Sequence, residues 1–345
     1  MAYQAAVVGA AGYAGAELLR LLAGHPDLEV TRAVAASHAG SPVAELYPAL
    51  GPAYGGLMLD AWDSGALDGV DVAFLTLPHG ESQRVVPDIL GRVGHVVDLG
   101  ADFRLPRADY ETWYHESHRA PDLLDRFAFG LPELYRTEMG AARHVAAPGC
   151  YPTTAALALA PLLRHGLVER TGIVVDAVSG VSGAGRGLKT TSLFSEVNEN
   201  VAAYGLLSHR HTAEMEMALG HVAGGAVQVL FTPHLVPMTR GILATCYAQP
   251  AAKGMSTARL LEHYREFYAN DPCVVVVDEP SGTKATYGAN VVHITARFDG
   301  RTGTIIAIAA EDNLVKGASG QMIQAANVVL GLPETTGLPL LGIQP

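Results

Sequence analysis

Residues 5–22 read AAVVGAAGYAGAELLRLL, in which a short apolar run, a glycine-rich loop and apolar residues at helical spacing follow one another. The apolar run predicts a buried strand, and residues 13–24 predict a helix. Gly9, Gly12 and Gly15 stand where this strand passes into this helix. Glycines let a backbone approach a pyrophosphate closely, and a helix start adds partly positive N–H groups. The pattern therefore predicts a dinucleotide site, with a plain strand-to-helix turn as the alternative.

The rest of the chain falls into two regions. As far as residue 150, apolar runs alternate with helical stretches, which predicts a parallel sheet with right-handed crossovers. Beyond it, short turns such as FDGRTG at 298–303 join several strand-like runs. We therefore predict an α/β protein with a Rossmann-type parallel-sheet dinucleotide domain and a second α+β domain whose sheet is mixed and largely antiparallel. The expected strands are 5–8, 28–36, 71–77, 94–99 and 144–148, then 172–179, 226–235, 241–248, 273–277, 289–298 and 303–309.

Composition excludes several classes of protein. The chain has 345 residues, of which 49% are hydrophobic and 17% charged, so we expect a two-domain globular protein. Its 23 Lys and Arg against 34 Asp and Glu argue against nucleic-acid and membrane partners. Three cysteines are too few for a disulfide framework or a zinc cluster, and neither a signal peptide nor a membrane span is evident. We expect a cytoplasmic protein with a small-molecule substrate and no metal.

The end of the second strand bears on which dinucleotide is bound. An acidic residue usually stands there and hydrogen-bonds the ribose 2′-hydroxyl of NAD. Here the strand ends in AASH at 35–38, without a carboxylate, and Ser37 and His38 are able to donate hydrogen bonds to a 2′-phosphate. The sequence favours NADP(H), although for His38 the alternative that both are solvent-exposed loop residues is nearly as well supported.

Loops that follow parallel strands emerge together at the carboxyl edge of the sheet, where ligands bind. The loops 9–12, 78–80, 100–104 and 148–150 bring glycines, His79, Arg104 and Cys150 to this edge. We therefore expect these residues to share one crevice. For His79 a place in the cofactor site and a helix-capping role are equally supported.

Cys150 precedes a helical stretch that has Pro152 in its early turn. The positive end of a helix stabilises thiolate and lowers the pKa of cysteine from about 8.5. Helix-start N–H groups also suit an oxyanion. Cys150 is therefore the candidate nucleophile, whereas Cys246 and Cys273 lie in strand-like runs and are assigned to the core.

The segment SHRHTAEME at 208–216 brings His209, His211 and Glu214 together. With Thr212 as N-cap, Glu214 lies in the first turn of a helix and both histidines lie just before it. Histidine is the usual proton donor and acceptor near neutral pH, so we rank an acid–base role above a structural one and far above metal binding. A second glycine-rich stretch, SGVSGAGRG at 179–187, lacks the GK[ST] ending of a P-loop and is interpreted as a loop around a cofactor or substrate, or as a long turn.

In this order the motifs resemble the N-acetyl-γ-glutamyl-phosphate reductases, relatives of aspartate-semialdehyde dehydrogenase. The stretches that carry the resemblance span nearly the whole chain: GAAGYAGAELLRLL, LPHG, VVDLGADFRL, FGLPELYR, APGCYPT, SGVSGAGR, EVNENVAAY, HRHTAEME, RGILAT and EDNLVKGASGQ. The pair APGCYPT and HRHT is the most specific. Two departures are Ala11, where Ser or Thr is frequent, and Gly100, where Ser is common.

The resemblance implies roles for individual residues. Cys150 would be the nucleophile and His211 the acid–base catalyst, supported by His209 and Glu214. Arg104, His209 and Arg240 would bind substrate. Residues implied in NADP(H) binding are Gly9, Ala11, Gly12, Tyr13, Ala14, Gly15, Ser37, His38, Pro78, Ser182, Gly183 and Asn313. The C-terminal helix would return to the dinucleotide domain, giving predicted domains of 1–149 with 315–345, and 150–314.

The implied reaction is NADPH-dependent reduction of N-acetyl-L-glutamyl 5-phosphate to the 5-semialdehyde through a Cys150 thioester, in arginine biosynthesis, by a homodimer or homotetramer. Three alternatives remain from the residues alone. The first is a lysine-pathway paralogue that acts on a carrier-bound aminoadipyl phosphate. The second is aspartate-semialdehyde dehydrogenase itself, and the third is a non-catalytic NADP-binding sensor that does not use Cys150.

Overall fold

A computed structural model describes residues 2–344 of the chain. Its strands are β1 Tyr3–Val8, β2 Leu28–Val34, β3 Leu59–Asp60, β4 Val72–Leu75, β5 His95–Asp98, β6 Phe127–Phe129, β7 His144–Ala146, β8 Ile173–Gly180, β9 Ala202–Ala203, β10 Val229–Val236, β11 Ile242–Ala248, β12 Val274–Val276, β13 Val292–Asp299 and β14 Thr304–Glu311. Its α-helices are α1 Tyr13–Leu22, α2 Val43–Leu46, α3 Gly51–Tyr54, α4 Ser82–Ile89, α5 Arg107–Tyr114, α6 Pro132–Ala141, α7 Cys150–Arg164, α8 Phe194–Val197, α9 His211–Ala223, α10 Thr257–Phe267 and α11 Gly320–Val329.

The chain forms two compact units. Unit 1 comprises Met1–Pro148 and Ala318–Leu338, and unit 2 comprises Gly149–Gly317 and Pro339–Pro345. The prediction assigned residues 315–345 to the first domain, but the stretch from Pro339 onwards belongs to unit 2. Hydrogen bonds attach this stretch to unit 2. Asn290 N–H donates to Pro339 O at 2.7 Å, and Ile343 N–H donates to Tyr287 O at 2.8 Å.

Unit 1 contains a parallel sheet of seven strands in the order β3-β2-β1-β4-β5-β7-β6. Its central strands carry apolar residues on both faces, and β4 is buried throughout its length, which is typical of a sheet covered by helices on both sides. Helix α11 returns to this unit and packs against α6 and α1. The parallel arrangement places the loops after β1, β4, β5 and β7 at one edge of the sheet.

Unit 2 contains a mixed sheet in the order β12-β13-β14-β11-β8-β10-β9. Strand β11 is antiparallel to β8 and β14, and β13 is antiparallel to β14, whereas β8 and β10 run parallel. Buried and partly exposed residues alternate along β8, so one face of the sheet is covered. Helix α7 covers it: every residue from Tyr151 to Leu163 is buried, and α7 packs against β11, β14 and α9. The predicted fold class is confirmed in both units.

Three local features differ from the predictions. Helix α9 begins at His211 with Arg210 as N-cap, so the prediction of Thr212 as N-cap was wrong. The Thr212 hydroxyl instead donates to His209 O at 2.8 Å. The short strands β3, β6 and β9 were not predicted. Residues Val315–Ser319 form a π-helical turn before α11, so the C-terminal helix is not regular from its start. Within residues 2–344, no helix combines the length and the apolar character that crossing a bilayer requires.

Candidate active site

Cys150 is the first residue of α7, and Gly149 is its N-cap, with φ −70° and ψ 158°. Gly149 O accepts the first helical hydrogen bond from Thr153 N–H at 3.0 Å. Cys150 is partly exposed, whereas Cys246 and Cys273 are buried as predicted. Burial raises the pKa of the Cys246 thiol to about 12, which leaves it inert. Of the three cysteines, Cys150 alone combines access with the positive end of a long helix.

Gly149 connects the cysteine to α9. Its N–H donates to Glu214 Oε2 at 2.9 Å, and Glu214 is fully buried. A Cβ added to Gly149 would lie 2.4 Å from His211 Nε2, so the imidazole rests directly against the glycine α-carbon. The close approach of the imidazole requires that residue 149 has no side chain. The residue beside Cys150 thus fixes the position of His211.

His209 lies behind His211 in an aromatic cluster with Tyr151 and Tyr204. The ring centroids of His209 and His211 are 4.8 Å apart, and His209 Nδ1 accepts the backbone N–H of His211 at 3.2 Å. Burial lowers the pKa of His209 to about 3, with His211 adding to the effect. His209 is therefore neutral at physiological pH and positions His211 instead of carrying a proton.

Tyr151, the residue after Cys150, and Tyr204 form a hydrogen-bonded pair of hydroxyls. Tyr204 Oη donates to Tyr151 Oη at 3.1 Å, and Tyr151 Oη donates to His234 O at 3.3 Å. Burial raises the pKa of Tyr204 to about 12, and the Cys150 charge adds to this rise. Burial likewise raises the pKa of Tyr151 far above its ordinary value, so both phenols stay protonated. The sequence had not singled out either tyrosine.

The opposite side of Cys150 is formed by the π-helical turn. A Cβ added to Gly317 would lie 2.7 Å from Cys150 Cβ and 2.9 Å from Glu311 Oε1. Glu311 is fully buried. Gly317 is therefore a second position at which a side chain would displace the cysteine. In the sequence, Gly317 was included only as part of the EDNLVKGASGQ stretch and was not identified individually.

Asn313 joins the second glycine-rich loop to the strand β11. Its Nδ2 donates to Ser182 Oγ at 3.0 Å, and its Oδ1 accepts Gly241 N–H at 2.7 Å. A Cβ on Gly183 would approach Ser179 Oγ at 3.0 Å and Asn313 Nδ2 at 3.7 Å. Three of the residues implied in cofactor binding, Ser182, Gly183 and Asn313, thus form one cluster.

Arg240 lies next to this cluster in sequence. Its Nη1 is 3.7 Å from Asp312 Oδ2, and its guanidinium carbon is 5.8 Å from the centre of the Tyr287 ring. Asp312 is fully buried and also accepts Gly288 N–H at 2.7 Å and Leu314 N–H at 2.8 Å. The side chain of Arg240 is 21% exposed. Its guanidinium is therefore paired with the buried Asp312 and is still partly accessible to solvent.

In unit 1 the glycine loop has the backbone that a pyrophosphate cradle needs. Gly9 has φ +96°, which favours glycine, and a Cβ on Gly15 would lie 2.4 Å from Gly9 O. Tyr47 Oη donates to Ala11 O at 2.8 Å, and Ser319 Oγ donates to Ala14 O at 2.7 Å. Gly12 is the N-cap of α1 and no side chain caps it. These residues fit a dinucleotide phosphate at the helix start.

The loop after β2 carries no carboxylate between residues 35 and 38, as the sequence indicates. Ser37 Oγ and His38 Nδ1 lie 2.8 Å apart and are exposed to solvent. A hydroxyl and an imidazole side by side are suitable donors for a phosphate. This end of the loop fits NADP(H) better than NAD(H).

The loops after β4 and β5 meet at Asp102, a fully buried residue between Gly100 and Arg104. Asp102 accepts Gly80 N–H and Gln83 N–H, both at 3.0 Å, and so caps α4 from a separate loop. Arg104 is 8% exposed and its Nη2 donates to Leu99 O. Burial raises the pKa of the nearby Asp98 to about 7, although Ser82 and Gly100 donate hydrogen bonds to it.

Comparison with protein families shows matches over most of the chain. The family described as semialdehyde dehydrogenase, NAD binding domain, matches residues 4–142. The family described as semialdehyde dehydrogenase, dimerisation domain, matches residues 150–313.

Curated relatives match the chain from end to end. The N-acetyl-gamma-glutamyl-phosphate reductase of Symbiobacterium thermophilum is 50% identical over 98% of this chain and 98% of its own length. The protein of the same name from Heliobacterium modesticaldum is 47% identical over 99% of both chains.

Solved structures share the fold. Aspartate semialdehyde dehydrogenase II from Vibrio cholerae, complexed with ASA, has a TM-score of 0.72 at 16% identity, covering 96% of this chain and 99% of that one. The Candida albicans aspartate semialdehyde dehydrogenase with NADP has a TM-score of 0.68 at 15% identity, with the same coverage of the two chains.

Proposed function

Because the chain belongs to the N-acetyl-gamma-glutamyl-phosphate reductase family, we propose that Cys150 attacks the acyl phosphate of the substrate and that His211 transfers the proton of this reaction. The enzyme is an NADP(H)-dependent oxidoreductase of arginine biosynthesis. It reduces N-acetyl-L-glutamyl 5-phosphate to N-acetyl-L-glutamate 5-semialdehyde and releases phosphate. The observation that supports the roles of Cys150 and His211 most strongly is the contact of the His211 imidazole with Gly149, the residue before Cys150.

Cys150 suits nucleophilic attack. It is accessible, it begins a 15-residue helix, and the positive end of that helix favours thiolate. The thiolate forms a C–S bond to the acyl carbon, and the C–O bond to phosphate breaks to give a thioester. N–H groups at the start of α7 stabilise the oxyanion that develops during this step.

His211 suits proton transfer. Its ring lies against Gly149, the residue before Cys150. From there we propose that it takes the thiol proton and returns it to the sulfur when the hydride adduct of the thioester collapses to the aldehyde. NADPH, when bound, supplies the hydride that reduces the thioester. His209 stays neutral and holds the backbone of His211, and Glu214 holds Gly149.

The proposed binding residues fall into a cofactor group and a substrate group. For NADP(H) we propose N–H groups of the glycine loop at the pyrophosphate and Ser37 and His38 at the 2′-phosphate. Tyr13, Pro78, Ser182, Gly183 and Asn313 would complete the cofactor site. For the substrate we propose Arg104 at the phosphate and Arg240, with His209, at the remaining polar groups, since an arginine held by a buried carboxylate presents its charge in a fixed place.

We propose a homodimer or homotetramer in the cytoplasm. Unit 2 coincides with a matched dimerisation domain, and its segment 188–207 exposes large apolar side chains, including Leu188 at 97%, Phe194 at 81% and Leu207 at 81%. Exposed apolar clusters of this kind mark association surfaces. Light scattering on the purified protein measures the oligomeric state.

A reverse assay tests the function. N-acetylglutamate semialdehyde, inorganic phosphate and NADP+ are mixed with the enzyme, and NADPH formation is followed. We expect NADPH formation that depends on phosphate, and much slower formation with the lysine-pathway aldehyde or with aspartate semialdehyde. Failure to reduce NADP+ with the acetylglutamate aldehyde contradicts the proposal. The curated relatives do not favour the lysine-pathway or sensor alternatives.

A further inference from the structure

His79 takes no part in the reaction steps above, yet both of its ring nitrogens face carboxylates. Nδ1 lies 3.2 Å from Asp102 Oδ1, and Nε2 lies 2.8 Å from Glu116 Oε1. The ring of Tyr114 packs on it with centroids 4.3 Å apart. The His79 side chain is 26% exposed, so it belongs to the edge of the sheet and not to the core.

Asp102 connects His79 to the loop that carries Arg104. It lies two residues before Arg104 and binds the N–H groups of Gly80 and Gln83. Burial works to raise the pKa of Asp102, but the hydrogen bonds from His79, Gly80 and Gln83 outweigh burial and hold this pKa below its ordinary value. One charged carboxylate thus ties the loop 78–80 to the loop 100–104.

The groups that face His79 come from two further elements. Asp102 belongs to the loop after β5, while Tyr110 and Tyr114 lie on α5 and Glu116 follows α5. Tyr110 Oη donates to Glu116 Oε1 at 2.8 Å, which fixes the second carboxylate.

We propose that His79 is a positioning residue, a clasp between Asp102 and Glu116 that holds the Pro78–Gly80 loop against the Gly100–Arg104 loop, so that NADP(H) and the substrate phosphate each meet a preorganised loop. The inference rests on the proposed function, because it takes Pro78 as a cofactor contact and Arg104 as the phosphate contact. Loops that are fixed before binding lose less entropy when a ligand arrives. Loss of the clasp should therefore weaken the binding of NADP(H) and of the substrate phosphate together.

The test uses His79→Gln in the full-length enzyme with the reverse assay. We expect the KM for NADP+ and the KM for inorganic phosphate to rise together, each by about tenfold, with kcat at saturation changed by less than about twofold. Glu116→Gln keeps an acceptor oxygen but removes the negative charge of the half-exposed arm of the clasp, so both KM values should rise by only about threefold. This variant also keeps the test informative when His79→Gln folds poorly.

Arg107→Gln is the matched control. It breaks an exposed ion pair on α5, the helix that carries Tyr110 and Tyr114. This pair joins Arg107 Nε to Glu111 Oε1 at 2.9 Å, and we expect no change in either KM. A rise in only one KM indicates that His79 contacts that ligand directly, and it overturns the clasp. Unchanged KM values with a lowered melting temperature show a purely structural role and overturn it too. Wild-type enzyme without phosphate-dependent NADP+ reduction contradicts the proposed function itself, whereas active wild type with an unaffected His79→Gln variant contradicts only the clasp.

Discussion

The imidazole of His211 lies against the α-carbon of Gly149, so closely that an added Cβ would be 2.4 Å from Nε2. Gly149 has φ −70°, which any residue adopts, so its requirement for glycine comes from the ring and not from the backbone. The contact places the proposed acid–base group against the residue that precedes the proposed nucleophile.

Gly149→Ala should therefore damage catalysis more than folding. The added methyl displaces His211, and a displacement of about 1 Å at a reacting group costs on the order of 10²-fold in kcat. Steady-state kinetics and a melting curve measure the two effects. Gly140→Ala, at a position with no atom within 4 Å of the added Cβ, is the control and should behave as wild type. Full activity of Gly149→Ala would show that the ring is free to move without consequence.

The two histidines of HRHT should differ. His211→Asn removes the proton carrier and should lower kcat by at least about 10²-fold. His209→Asn should lower kcat less and leave the shape of the pH–rate profile unchanged, because a group with a pKa of about 3 does not titrate in the working range. Profiles of kcat against pH for both variants measure this difference. Loss of one limb of the profile in His209→Asn would contradict the assignment of His209 as a neutral positioning residue.

Cofactor choice should respond to charge at the end of β2. Ser37→Asp places a carboxylate where we propose the 2′-phosphate, and repulsion should lower kcat/KM for NADPH by about tenfold or more. The same change should leave kcat/KM for NADH equal or higher, because NADH has no 2′-phosphate. Assays with the two cofactors form an internal control. Equal losses with both would indicate general damage to the loop.

The buried Asp98 should make stability depend on pH. Its folded pKa of about 7 lies above the unfolded value, so the native state holds a proton that the unfolded state has lost. Stability from this group is therefore full below about pH 4 and declines as pH rises towards 7, by on the order of 4 kcal/mol. Urea unfolding of wild type and Asp98→Asn at about pH 5 and about pH 8 measures the decline. The decline should be smaller in the variant, and an identical decline in both proteins would exclude Asp98 as its source.

Local sequence patterns predicted the elements that build the site. The run before Gly9 and the helical spacing after Gly15 are short-range signals, and they predicted β1 and α1 with bounds close to those observed. The helix after Gly149 was equally visible, because Pro152 and a long apolar run follow Cys150. The two histidines and Glu214 were identified from one short segment.

Contacts between distant segments were not predictable from those patterns. Glu214 reaches Gly149 across 65 residues, and Asp102 caps α4 from a different loop, so neither partner is marked by neighbouring residues. The π-helical turn at Val315–Ser319 and the very short strands carry too little periodicity to be recognised. Gly317 shows the same limit, because its need for glycine arises from packing on Cys150.

The covalent step is the central claim, and mass spectrometry of the enzyme tests it most directly. Enzyme is mixed with N-acetylglutamyl phosphate in the absence of NADPH, quenched with acid and digested. The account predicts an acetylglutamyl adduct on the peptide that contains Cys150, absent from Cys150→Ser and discharged when NADPH is added before quenching. Turnover without such an adduct, or near-normal turnover by Cys150→Ser, would contradict it.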